Sequence, residues 1–195
     1  MAKLIYLQGL NDRQHKCTEL IDLLSLDIQA GPWIAGGAAI SLYTKQVIND
    51  IDVYVTHRQQ QLDLEQLFVD KHSITYESEN ALSAKVELIP GERHKVQLIR
   101  KGLYKKIEDV FETFDFSVCQ IATDGKGNFV ATPQALADLG TKRLRVTHFN
   151  PDNFMSRWAK YTMYGFELPT TEFTDYVSKV NDEQFKDIHK FNNNY

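Results

Sequence analysis

Hydrophobic positions along the chain change period several times. Ile51, Val53 and Val55 alternate with Asp50, Asp52 and Tyr54, the period of a strand with one apolar face. Trp33, Ile34 and Ala35 form a continuous apolar run, expected as a short buried strand. Between these two strands the pattern predicts a helix over 38–45 (AAISLYTK), entered through the pair Gly36-Gly37. Leu20, Ile21, Leu24 and Ile28 predict a helix over 18–29, with Thr18 as N-cap and Pro32 beyond its end. A covering helix is expected over 60–70 (QQLDLEQLFVD). Strands are expected over 84–89 and 95–100, joined by a turn at Pro90-Gly91. Next come a short helix over 104–113, a buried strand over 114–122 and a turn at 124–128 (DGKGN) leading into FVAT. A helix over 133–139 opens on Pro133, a favoured first helical position.

The pattern changes at Pro151. Phe154, Trp158 and Tyr161 have helical spacing, Gly165 stands where a C-cap belongs, and 171–191 predicts one or two further helices. The polar end FNNNY is expected to fray. The organisation expected is α+β: a mixed sheet with helices packed on it over 1–148, then a small helical neck and tail over 149–195 packed on that head.

Composition narrows the class. Hydrophobic residues at 43% and charged residues at 25% are ordinary for a globular protein, and a net charge of −4 is not that of a bulk nucleic-acid binder. The basic runs KGLYKK (101–106) and KRLR (142–145) either track a nucleic-acid backbone or form solvated surface. Cys17 and Cys119 make no disulfide framework, and the six histidines lack ligand spacing, so no zinc site is expected. The N-terminus has no cleavage pattern and no stretch approaches the roughly 20 apolar residues of a membrane span. A cytoplasmic location is therefore expected, with no membrane partner.

The chemistry concentrates in GGAAISLYTKQVINDID (36–52). With a strand period of two, Asp50 and Asp52 point the same way, and two like charges that close repel unless a cation sits between them. Mg²⁺ (or Mn²⁺) takes carboxylate oxygens and keeps positions open for phosphate and water. A glycine pair before a helix offers backbone N–H groups and lets a phosphate approach the main chain. Each half also has a plain structural reading: a solvent-facing strand end, and a tight turn without ligand.

This stretch resembles the signature of the DNA polymerase β-like nucleotidyltransferase superfamily, a Gly-Gly or Gly-Ser turn, a short helix, then Asp-x-Asp on the next strand. FDFSVCQIATDGKGNFV, ATPQALADLGTKRLRV and NFMSRWAKYTMYGFEL are similar, in order, to segments of the head and neck of CCA-adding enzymes and bacterial poly(A) polymerases. The resemblance covers about residues 30–168. It implies a palm-like nucleotidyltransferase fold, two Mg²⁺ ions held by carboxylates, and transfer of a nucleoside monophosphate from an NTP to a hydroxyl. The acceptor would be an RNA end, a protein or a small molecule.

Several positions depart from that pattern. CCA-adding enzymes carry Val-Arg-Asp where this chain has Ala39, Ile40 and Ser41, so a phosphate-side arginine is missing and Ser41 offers a hydroxyl instead. A third carboxylate is expected from a neighbouring strand. Gln97 stands where it would lie, and Asp115 is the other candidate, as a ligand or as a buried acid paired with Arg or Lys. Thr113-Phe114 replaces a double arginine, so base readout is not carried over. Arg157 and Lys160 share a helix face, as a triphosphate clamp or as solvated surface. Two functions follow. One is a metal-dependent nucleotidyltransferase with Asp50, Asp52 and Asp115 as catalytic groups and Gly36, Gly37, Ser41, Arg157 and Lys160 on the nucleotide. The other is a catalytically degenerate module of the same fold that binds a nucleotide, a nucleic acid or a protein.

Overall fold

Eight strands hydrogen-bond into one mixed sheet in a computed structural model that describes residues 3–8, 25–71, 73–89, 92–148 and 151–179. The strands are β1 (Ile5–Leu7), β2 (Trp33–Ala35), β3 (Asp50–Tyr54), β4 (Ser73–Glu77), β5 (Ala81–Ile89), β6 (Glu92–Ile99), β7 (Ile121–Thr123) and β8 (Phe129–Ala131). Their order across the sheet is β1-β8-β7-β2-β3-β6-β5-β4. Only β3 and β6 pair in parallel, and every other pair is antiparallel. The helices are α1 (Gly37–Tyr43), α2 (Arg58–Lys71), α3 (Ile107–Phe111), α4 (Pro133–Thr141) and α5 (Pro151–Met163), and residues 170–179 are also helical.

Burial explains why the central strands differ in pattern. β2 lies between β7 and β3, and all three of its residues are buried, so its sequence is continuously apolar rather than alternating. In β3, Ile51 and Val53 enter the core while Asp50 and Asp52 face the other way. Tyr54 shares the face of the two aspartates yet is buried, because Tyr104 and Phe114 roof it with ring centroids 5.6 and 5.9 Å away. α4 starts as its sequence predicts: the Thr132 hydroxyl accepts from the Ala135 N–H at 3.1 Å and Pro133 follows.

The C-terminal helices pack on the sheet layer through aromatic rings. Phe116 lies 5.4 Å from Phe154 and 5.9 Å from Tyr161, ring centroid to centroid. Glu172, in the helical run 170–179, accepts from the Val146 N–H at 3.1 Å and lies 3.9 Å from Arg145. Gly165, at φ +79°, closes α5 as expected, with the Phe166 N–H donating to the Tyr161 carbonyl at 3.0 Å. Among the described residues no helix is long and apolar enough to cross a membrane.

Several elements differ from expectation. Residues 25–29 form turns rather than the end of a helix, with the Asp27 carboxylate accepting from the Gln29 and Ala30 N–H groups at 2.7 Å. The rest of that helix, Thr18 included, lies outside the described residues, as do Cys17, Pro90-Gly91 and residues 180–195. The run 114–122 is buried, but it makes one isolated bridge, Phe116 to Val146, and a 3-10 turn at Ser117–Cys119 before β7 begins. β4 was not anticipated: its exposed Ile74 and Tyr76 give no inward-facing alternation.

Candidate functional site

A cavity of about 510 Å³ opens between β3, α1, the segment 113–116 and α5. Gly36 shapes one wall. Its backbone sits at φ +71° and ψ −133°, a region that only glycine occupies freely, and a Cβ there would meet the Phe114 ring at 3.3 Å. The Gly36 N–H is not turned to the cavity as the glycine-pair reading expects; it donates to the Ile121 carbonyl at 3.1 Å and fastens the turn to β7. Gly37, the first residue of α1, is the one that faces a cation. A Cβ added to it would lie 4.0 Å from Nζ of Lys160, and no side chain caps the helix. Ser41 lines the cavity one turn further on.

Asp50 and Asp52 enter the same cavity from β3, on one face as the period requires. Neither carboxylate takes a hydrogen bond or an ion pair from the described residues. Burial, and then repulsion from Asp50, raise the Asp52 carboxyl from 3.8 to about 6, against the opposing pull of Lys160, Lys95 and Arg157. Two carboxylates without protein partners, beside space for phosphate and water, suit a divalent cation of the Mg²⁺ kind. Among the described residues no group of three or more His, Cys, Asp and Glu is placed to hold an ion, so the pair gains no third acid.

The two candidates for that third acid have other positions. Gln97 is the register partner of Asp52 on β6 and shares its face, so the neutral amide stands where the expectation put it. Asp115 is 1% exposed and lines the cavity, but its Oδ2 is bound to Arg157 Nη1 at 2.5 Å. The reading of Asp115 as a buried acid paired with a cation is the one this geometry favours. Its Oδ1 is buried without a hydrogen-bond partner. Arg157 and Lys160 therefore separate in role: one is neutralised by Asp115, while the other lies across the glycine turn.

Other lining residues carried no sequence signal. Tyr54 and Tyr104 floor the cavity. Cys119 and Tyr161 form a buried pair, Sγ to hydroxyl 2.9 Å, and burial raises the thiol from 9.0 to about 11. Asn49 donates to the Tyr164 hydroxyl at 3.1 Å, tying the loop before β3 to the end of α5. Their positions depend on contacts between residues far apart in the chain. The KRLR run resolves as structure for the most part: Lys142 Nζ lies 4.4 Å over the Phe166 ring, and Arg145 meets Asp138 at 3.5 Å. In KGLYKK, Lys101, Lys105 and Lys106 stay exposed.

Known proteins agree with this architecture. Residues 6–142 match the family described as Gabija anti-defense 2 family protein. The protein "Gabija anti-defense 2" of Bacillus phage SPbetaL7 is 29% identical over 146 residues, 72% of this chain and 35% of that protein. The chain thus spans about a third of that relative's length. Among solved structures, a CCA-adding enzyme in complex with ATP superposes with a TM-score of 0.63 at 16% identity, over 91% of this chain and 46% of that one. The Thermotoga maritima CCA-adding enzyme complexed with tRNA gives 0.59 at 18%, over 86% and 44%. A CCA-adding enzyme with CTP gives 0.61 at 15%, over 86% and 44%. At such identities the likeness is one of fold: the chain has a nucleotidyltransferase-like fold, as its motif order implies.

Proposed function

This chain belongs to the Gabija anti-defense 2 family, and we propose that it serves that family as a metal-dependent nucleotidyltransferase. One observation carries the reading: the unpartnered Asp50 and Asp52, the Gly37 turn and the Lys160 ammonium share a single cavity. The donor is a nucleoside triphosphate. Lys160, Gly37 and Ser41 hold its phosphates, and Asp50 and Asp52 hold Mg²⁺ or Mn²⁺. When bound, that cation offsets charge on the phosphates and orients them for attack. Positioning and charge neutralisation together supply most of the catalysis in phosphoryl transfer, and the chain contributes the positioning and the Lys160 charge. An acceptor hydroxyl of RNA, protein or a small molecule forms a bond to the α-phosphorus, its proton passes to solvent, and pyrophosphate leaves.

The head, residues 1–148, brings the glycines and aspartates, and the neck from 149 onward brings Lys160. Arg157 positions Asp115 rather than the phosphates. A second reading, nucleotide binding without transfer, is favoured by Gln97 beside Asp52 and by the commitment of Asp115 to Arg157. The two separate when the protein is incubated with each α-labelled NTP, Mg²⁺ or Mn²⁺, and RNA or lysate. Transfer that disappears in Asp50→Ala and Asp52→Ala supports the enzyme. Metal-dependent NTP binding with no transfer supports the second reading, and neither binding nor transfer refutes both.

A further inference from the structure

Resting on the nucleotide reading above, we propose that the site takes one divalent cation with its nucleotide, and that Lys160 brings the positive charge which a second cation would otherwise supply on the phosphate side. The donor set points this way. Two-metal sites hold their ions about 3.5–4 Å apart as a clamp on the attacking and leaving oxygens, and two dications that close need enough nearby negative charge to offset their repulsion. Here Asp50 and Asp52 can serve one ion. The position beside Asp52 on the parallel strand holds Gln97, whose neutral amide adds no charge. Asp115 is not placed to join them: among the described residues no group of three or more His, Cys, Asp and Glu could hold an ion, and its Oδ2 is bound to Arg157 at 2.5 Å.

Four cations line the cavity, Lys101, Lys142, Arg157 and Lys160, and Lys160 is the one set against the Gly37 turn. Arg157 is neutralised by Asp115, and Lys142 lies over the Phe166 ring. Lys160 has no hydrogen bond or ion pair among the described residues, and its Nζ lies 4.0 Å from where a Cβ on Gly37 would be. A second feature of the same cavity, independent of the acid pair, calls for a polar ligand: the buried Asp115 Oδ1 has no hydrogen-bond partner. Burial of such an acceptor is costly unless a donor reaches it, and a bound molecule with hydroxyl or amino groups provides one.

Equilibrium dialysis with Mn²⁺ and α,β-methylene-ATP, whose α–β bridge resists cleavage, tests this without reference to turnover. The expected result is one Mn²⁺ retained per analogue retained. Lys160→Met should weaken analogue binding by about tenfold or more, and Lys160→Arg should keep most of it. Circular dichroism and thermal melting check that both variants are folded. Two Mn²⁺ per analogue overturn the single-cation proposal and leave the nucleotide reading standing. Unchanged analogue affinity in folded Lys160→Met overturns the role of Lys160. No retention of Mn²⁺ or analogue by the unaltered protein overturns the proposal together with the nucleotide reading it rests on.

Discussion

Replacing Asp52 by Asn should stabilise the protein at neutral pH, by an amount that grows with pH. In the folded chain burial and the Asp50 charge raise the Asp52 carboxyl to about 6, from an ordinary value of 3.8. Between those two values the folded state holds a proton that the unfolded state has lost, so the free energy of unfolding falls as pH rises. The favourable state is complete below 3.8 and is lost as pH passes through about 6. The shift from 3.8 to about 6 corresponds to about 3 kcal/mol at pH 8. Asn keeps the shape without the charge and escapes this cost. The advantage of Asp52→Asn over the unaltered protein should therefore grow by about 2 kcal/mol between pH 4.5 and pH 8. For a domain of this size each 1 kcal/mol moves the midpoint by roughly 2–4 °C, well within reach of thermal melts. Urea unfolding at matched pH gives the free energies directly. Mg²⁺ supplies a second arm: it should stabilise the unaltered protein at pH 8 more than the variant, because a ligand that binds only the folded state adds stability by mass action. A difference that stays flat across pH would refute the placement of Asp52 as a crowded, half-buried carboxylate.

Other substitutions probe the frame around that pair. Gly36→Ala forces a side chain onto a glycine-only conformation beside the Phe114 ring, and should cost about 1–3 kcal/mol in denaturant unfolding; an unaffected midpoint would contradict the turn. Arg157→Met strands the buried Asp115 carboxylate and should destabilise by about 1–2 kcal/mol, a figure reduced because the guanidinium is partly exposed. Asp115→Asn in that background should recover part of the loss, and strict additivity of the two changes would show that they do not interact. Cys119 should resist iodoacetamide at pH 7.5, since burial holds its thiol near 11 and only the thiolate attacks. Peptide-resolved mass spectrometry follows it apart from Cys17, and modification at the rate of a free thiol would contradict the packing.

The parts of the site that follow from local periodicity were legible in the chain. Alternation over 50–55 fixed the shared face of Asp50 and Asp52, and the glycine pair marked the turn, where Gly36 needs its positive φ. Which amide faces the cavity was not legible, because the Gly36 N–H is claimed by Ile121, a partner 85 residues away in sequence. The same limit separates Arg157 from Lys160. Their spacing places them on one helix face, but Asp115 decides which of them is held in an ion pair and which is left facing the glycine turn. The run FDFSVCQIA marks residues 114–122 as buried, yet an apolar run does not distinguish a strand from a 3-10 turn. The sheet's outer strand β4 escaped because an edge strand with exposed Ile74 and Tyr76 lacks a buried stripe.

The central claim is that metal and phosphates meet between β3 and the Gly37 turn. Crystals grown with Mn²⁺ and α,β-methylene-ATP test it most directly through the anomalous scattering of manganese. The account predicts an anomalous peak bonded to the carboxylates of Asp50 and Asp52, with the analogue's phosphates between Gly37 and Lys160. A nucleotide bound elsewhere on the chain, or manganese that avoids both aspartates, would contradict it.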